Sequence, residues 1–302
     1  MRAIITGASG FVGRHLTETL AANGHEVVAY NRAEFQRALP LGLDNVDVVF
    51  HLAGQSFVPE SIASPLETYE TNIMGTARIA RAITNYAKTT GKGPRVIFAS
   101  SGEVYGNVPF ELLPITEETR TNPHNPYAAS KAAAEALLLA EYWSFGLDVV
   151  IARVFNAIGP RQNTRFAIAD FAAQLRRIGD GAPARIAVGN LDAQRDFLDV
   201  RDVAAAYLAL AERGASGGIY NICSGKPQSL RSLLHALIQI SGMEVEILDD
   251  PLRMRPTDTP VVVGANFKLC AETGWQPRRS LTTTLEDTLA WSRENDRADR
   301  TP

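Results

Sequence analysis

Tyr127 and Lys131 stand four residues apart, directly behind Pro126. If that stretch is helical, the spacing puts both side chains on one face. A free tyrosine has a pKa near 10 and exchanges protons poorly at neutral pH. A neighbouring ammonium favours the phenolate and lowers that value. The pair can then pass a proton to or from a carbonyl or carbinol oxygen. With eight tyrosines and only five lysines in the chain, such a pair is infrequent by chance. Upstream, Ala99-Ser100-Ser101-Gly102-Glu103 follows an apolar run. A hydroxyl such as that of Ser101 can hydrogen-bond the reacting oxygen beside the tyrosine. Glu103 can serve as a base, or equally as a structural or substrate-orienting carboxylate.

These groups need a frame. Arg2-Ala-Ile-Ile-Thr6 reads as a short strand, followed by Gly7-Ala-Ser-Gly10-Phe11-Val12-Gly13 and a helical face through Leu16 and Leu20. Glycines between a strand and a helix let backbone approach a pyrophosphate, and the helix start offers free N–H groups and partial positive charge. The pattern predicts dinucleotide binding. A second strand, 26–30, leads to Asn31-Arg32, where an acidic residue usually marks preference for NAD. Arg32 suits a 2′-phosphate, so NADP(H) is favoured and NAD(H) stays possible. Leu52, Ala53 and Gly54 end the next strand, 46–52, and Ala99 ends the one after it, where backbone is expected to meet cofactor.

Further strands are expected at 95–100 and 147–153, with helical stretches at 65–90 and 126–145 between them. Strands alternating with helices predict an α/β fold, a Rossmann-type doubly wound parallel sheet covered on both faces. Beyond about residue 155, helices near 166–178, 202–212, 230–241 and 281–293 and short strands near 186–188, 218–222 and 244–248 suggest a smaller mixed α/β substrate lobe on the C-terminal side. The expected division is 1–155 for the cofactor and 156–302 for the substrate, interleaved with the last sheet strands. Only thirteen residues, 33–45, separate Arg32 from the following strand, so the strand–helix unit usual there is shortened or missing.

Thirty basic and 33 acidic residues leave a net charge of −3, so no global basic field invites nucleic acid or an anionic membrane. No apolar stretch reaches the ~18–20 residues of a membrane span. Gly7, Gly10 and Gly13 interrupt anything resembling a signal peptide. Cys223 and Cys270 are too few for a disulfide framework, and the five histidines at 15, 25, 51, 124 and 235 lack metal-ligand spacing. A cytoplasmic enzyme without a metal is expected. Trp143, Trp275 and Trp291 are expected to anchor the core.

Taken together, TGASGFVG, HLAG, Tyr127-xxx-Lys131 with Ser101, and Phe155-Asn-Ala-Ile-Gly-Pro160 resemble the extended short-chain dehydrogenase/reductases that modify nucleotide sugars. The resemblance spans essentially the whole chain. It implies that Ser101, Tyr127 and Lys131 form a catalytic triad, that Lys131 also holds the nicotinamide ribose, and that Asn156 contacts the nucleotide-sugar phosphates. Val188–Asp202, Tyr220–Gly225 and the segment from Arg255 to Val262 are similar to reductases of GDP-linked 4-keto-6-deoxy sugars. That likeness implies NADPH-dependent reduction of a 4-keto group, with Arg195 and Arg255 at the diphosphate or guanosine end. It also implies a homodimer built on 65–90 and 126–145. Gly159-Pro-Arg161-Gln departs from the reductases toward the epimerases, and Arg161 is a candidate for an added phosphate contact. A 4-epimerase, a 4,6-dehydratase and a non-catalytic cofactor-binding protein remain alternatives. Gly102 weakens the dehydratase reading, because it offers no side chain to help a C6 hydroxyl leave.

Overall fold

The structure, a computed structural model, describes residues 1–30, 42–253 and 259–299. Its centre is a six-stranded sheet in the order β2-β1-β3-β4-β5-β9. The strands are β1 (Arg2–Thr6), β2 (Glu26–Tyr30), β3 (Val48–His51), β4 (Arg95–Ser101), β5 (Val149–Val154) and β9 (Ile219–Ile222), and all neighbours are parallel. β1 has β2 on one side and β3 on the other, so the winding reverses there. The crevice at the carboxyl ends of β1 and β3 is where such sheets take ligands.

The alternation of side chains along each strand explains why both faces are covered. Ile5, Phe50 and Ile97 join a core with α1 (Phe11–Ala22) and α7 (Val200–Arg213). Ile4, Val49, Val96 and Phe98 enter a second core under α4 (Gly75–Thr90) and α5 (Pro126–Phe145). Strands buried on both faces read as continuous apolar runs, which made them legible in sequence. α5 is set off by the Asn125 side chain, which accepts from the Ala128 N–H at 2.8 Å, with Pro126 in its first turn and left-handed Gly146 at its end.

A third core holds Phe171, Leu175, Leu234, Leu237, Leu285 and Leu289. It joins α6 (Ala167–Gly179), α8 (Leu230–Ser241), α10 (Leu281–Asp299) and the pair β7 (Arg185–Val188)–β11 (Glu246–Asp249). A small mixed sheet, β10 (Pro227–Ser229)–β8 (Gln194–Asp199)–β12 (Val261–Val262), with β6 (Asn156–Ile158) also on β8, links this lobe to the main sheet.

Several expectations need correction. The helical stretch at 65–90 is three pieces: α3 (Pro65–Tyr69), a π-helical turn (Glu70–Met74) and α4, with a short α2 (Val58–Ala63) ahead of them. β8 is an additional strand, outside those expected because it carries Arg195, Asp196 and Asp199, charges that a strand pattern does not predict. Asp196 is buried because its carboxylate accepts from the N–H groups of Ser224, Gly225 and Gly264. Trp275 is buried, but Trp143 is 80% exposed and anchors no core. Among the described residues β2 is an edge strand, with no further strand beside it. Of the segment 33–45, residues 33–41 lie outside the described residues, and Leu43 is buried in the core under α4 and α5.

Candidate active site

At the glycine loop, Gly7 has φ 75°, and its N–H and that of Ala8 donate to the Tyr30 carbonyl. A Cβ on Gly7 would lie 2.8 Å from the Ala53 nitrogen, and one on Gly13 would lie 2.3 Å from the Gly7 carbonyl oxygen. Side chains are therefore excluded where α1 meets the ends of β1 and β3. No side chain caps α1 at Gly10. The first-turn N–H groups, at Phe11, Val12 and Gly13, are left for an anion, and the macrodipole favours one. This cradle fits a dinucleotide diphosphate. Asn31 and Arg32 lie outside the described residues.

Tyr127, Lys131 and Ser101 are brought together at the ends of β4 and α5, exposed by 9%, 5% and 7%. The Ser101 hydroxyl neighbours the Tyr127 phenol closely enough to favour its ionised form. The Lys131 ammonium donates to the Ala99 carbonyl at 2.7 Å and lies 4.9 Å from the centre of the Phe98 ring. The pKa expectation fails in this form of the protein. Burial is the main influence on Tyr127 and pushes it up to about 12, against the neighbouring Ser101 hydroxyl. Burial also lowers Lys131 to about 8, opposed by the Glu135 carboxylate. Desolvation outweighs the helix-face pairing because both groups are nearly sealed from water. A neutral phenol is the form that can donate a proton.

Glu103 is exposed at the rim, where its carboxylate accepts from Asn125 Nδ2 at 3.2 Å and so touches the cap of α5. Its backbone N–H donates to Ser101 Oγ at 3.2 Å, which helps set that hydroxyl. His51 is buried between Thr6 Oγ1 at 2.8 Å and Thr76 Oγ1 at 3.0 Å, and burial depresses its pKa to about 3. It is a neutral packing residue, as its isolation from other histidines suggested.

Asn72 was not legible as part of this region. It sits in the π-helical turn, accepts from the Gln55 N–H at 2.8 Å, and donates to the Gln55 carbonyl and to Ser130 Oγ. Ser130 in turn donates to the Tyr127 carbonyl at 2.7 Å. A Cβ on Gly54 would lie 2.9 Å from Asn72 Oδ1, which explains why that strand end needs glycine. The only available signal was an asparagine inside a helical stretch, where its side chain is usually unfavourable.

On the other side, Asn156 Nδ2 donates to the Asp196 carbonyl at 3.4 Å. Arg195 Nη1 donates to the carbonyls of Gln194 and Thr259, at 2.8 and 2.6 Å. The small sheet therefore collects Asn156 and Arg195, while Arg255 lies outside the described residues. Arg161 does not join this pair in the small sheet. Its left-handed backbone, φ 71°, turns the guanidinium onto Glu18 of α1 and over the Trp291 ring at 5.3 Å. There it lines an open cavity of about 440 Å³ with Ser9, Arg14 and Ala29, on the cofactor side. Among the described residues no cluster of His, Cys, Asp or Glu is placed to hold a metal, and no helix is long and apolar enough to cross a membrane.

A parallel nucleotide-binding sheet with a buried Ser–Tyr–Lys cluster at its carboxyl edge defines an oxidoreductase-type site. The family model described as the NAD dependent epimerase/dehydratase family matches residues 3–223, and the chain belongs to that family. Its similarity is more specific than the family. The GDP-6-deoxy-D-mannose reductase of Pseudomonas aeruginosa is 41% identical over 297 residues, 96% of each chain. The solved structure of RMD from Pseudomonas aeruginosa complexed with NADPH superposes with a TM-score of 0.89 at 39% identity, covering 98% of this chain and 100% of that one. The UDP-glucose 4-epimerase of Thermotoga maritima with UDP-glucose has a TM-score of 0.86 at 26% identity, covering 98% and 99%.

Proposed function

We propose that this chain reduces the 4-keto group of GDP-4-keto-6-deoxy-D-mannose to an alcohol, giving GDP-D-rhamnose, with NADPH as reductant. The observation that carries this is the sealed Ser101–Tyr127–Lys131 cluster, read beside 41% identity to a reductase of that class. NADPH, when bound, supplies the hydride. Ser101 donates a hydrogen bond to the carbonyl oxygen as negative charge grows there. Tyr127, held neutral by burial, gives its proton to that oxygen. Lys131 as ammonium offsets the charge left on the phenolate and holds the nicotinamide ribose. Phe11, Val12 and Gly13 bind the cofactor diphosphate through backbone N–H groups, Gly7 and Gly10 leave it room to approach, and Leu52, Ala53, Gly54 and Ala99 lie alongside. Arg32 favours the 2′-phosphate of NADP(H). Asn156, Arg195 and Arg255 take the GDP diphosphate end, where the planar fork of arginine matches phosphate oxygens.

On this reading residues 1–155 carry the cofactor and 156–302 the sugar nucleotide, in a cytoplasmic homodimer. Exposed Leu66, Met74, Trp143 and Phe145 on or beside α4 and α5 support a helical dimer face. The test is NADPH consumption by the purified protein supplied with the GDP-linked 4-keto sugar. No consumption, together with interconversion of UDP-glucose and UDP-galactose, would assign the site to the epimerases instead.

A further inference from the structure

Three consecutive residues at the end of β4 are each gripped by one residue of α5, and the three α5 residues are spaced by four. The Ala99 carbonyl accepts from Lys131, the Ser100 hydroxyl donates to Glu135, and the Ser101 hydroxyl meets Tyr127. Two rungs of this ladder belong to the proposed chemistry. The third, Glu135, is buried at 4% exposure and is a costly group to place there. Arg153 of β5 compensates it, donating from Nε at 3.0 Å and from Nη2 at 2.6 Å. The Arg153 guanidinium lies 4.7 Å from the Tyr105 ring centre, and the Tyr105 hydroxyl donates to Asn221 on β9 at 2.7 Å.

We propose that Glu135 is a positioning residue for this site: it keeps the buried Lys131 in its ammonium form and clamps the Ser100–Ser101 end of β4 at the height of the Tyr127 hydroxyl. Lys131 sits one helical turn from the carboxylate, whose field acts against the burial that otherwise strips its proton. The remaining titratable groups around Lys131 do not supply that field. Tyr127 is neutral, His51 of β3 is neutral, Glu103 is at the wet rim, and Arg153 has the opposite sign. Arg153 holds the carboxylate oxygens bidentately, so Glu135 keeps its charge without free rotation. The inference rests on the reductase reading, because Lys131 matters only if Tyr127 passes a proton.

The test is Glu135→Gln, followed by the pH profile of NADPH oxidation and, without substrate, the pH dependence of NADPH affinity. Removing the negative charge should move the alkaline limb of both curves down by on the order of one pH unit. Glu135→Asp, which keeps the charge, should leave the limb near its original pH. If Arg153 without its partner prevents folding, Glu135→Gln with Arg153→Met removes both charges and is expected to shift the limb in the same direction by less, since loss of the Arg153 charge partly offsets loss of the carboxylate. A uniform loss of activity with both limbs unmoved would make Glu135 merely structural and overturn the proposal. The affinity arm keeps that outcome distinct from failure of the reductase reading, since it needs no turnover.

Discussion

Lys131 Nζ donates to the Ala99 carbonyl oxygen at 2.7 Å, tying the proton-handling face of α5 to the strand end that carries Ser101. That bond fixes where the charge sits. Burial lowers Lys131 to about 8, so its ammonium is present below that pH and is lost above it. Reductase activity should therefore fall as pH rises through about 8. Lys131→Met should lower kcat by roughly 10²-fold or more and abolish that limb. A steady-state pH series checks both.

Tyr127→Phe removes the proton donor but keeps the ring in its buried seat. The expected result is loss of at least about 10³-fold in kcat, within the reach of a positioned acid, with NADPH affinity unchanged within about twofold. Fluorescence titration of NADPH beside single-turnover kinetics separates the two.

Gly13→Ala places a methyl group 2.3 Å from the Gly7 carbonyl oxygen, a backbone atom that cannot step aside alone. The variant should lose about 1–3 kcal/mol of stability and bind NADPH poorly. Urea unfolding with and without cofactor measures both effects.

His51 gives the protein an acid-sensitive window. In the unfolded chain it gains a proton below about 6.5, whereas in the fold it stays neutral down to about 3. The unfolded state then binds more protons across that window, so this group alone makes stability fall as pH drops, by about 1.4 kcal/mol per unit. His51→Asn should flatten that part of the stability curve in urea titrations at several pH values, at some cost in hydrogen bonds to Thr6 and Thr76.

Arg161→Ala tests whether this arginine serves the substrate or the fold. It pairs with Glu18 and covers Trp291, and such partly exposed pairs are worth about 1 kcal/mol at most. The KM for the sugar nucleotide should stay unchanged while stability drops slightly. A several-fold rise in KM would restore it to the substrate site.

By itself the sequence determined what is local. The glycine loop, the apolar strands and the Tyr127–Lys131 spacing all follow from backbone sterics and helical or strand periodicity, which depend on near neighbours in the chain. The helix 126–145 and the strand leading to Ser101 were legible for that reason. Only the tertiary structure decided the rest. β8 is a strand because β6, β10 and β12 pair with it, and Asp196 can be buried there because it finds N–H donors from Ser224, Gly225 and Gly264, all distant in sequence. Asn72 joins the site only through Gln55 and Ser130. Arg161 is turned toward α1 by a backbone conformation that no motif reveals. The direction of the Tyr127 pKa reversed because burial, a property of the whole packed molecule, outweighed the neighbour that spacing alone could supply.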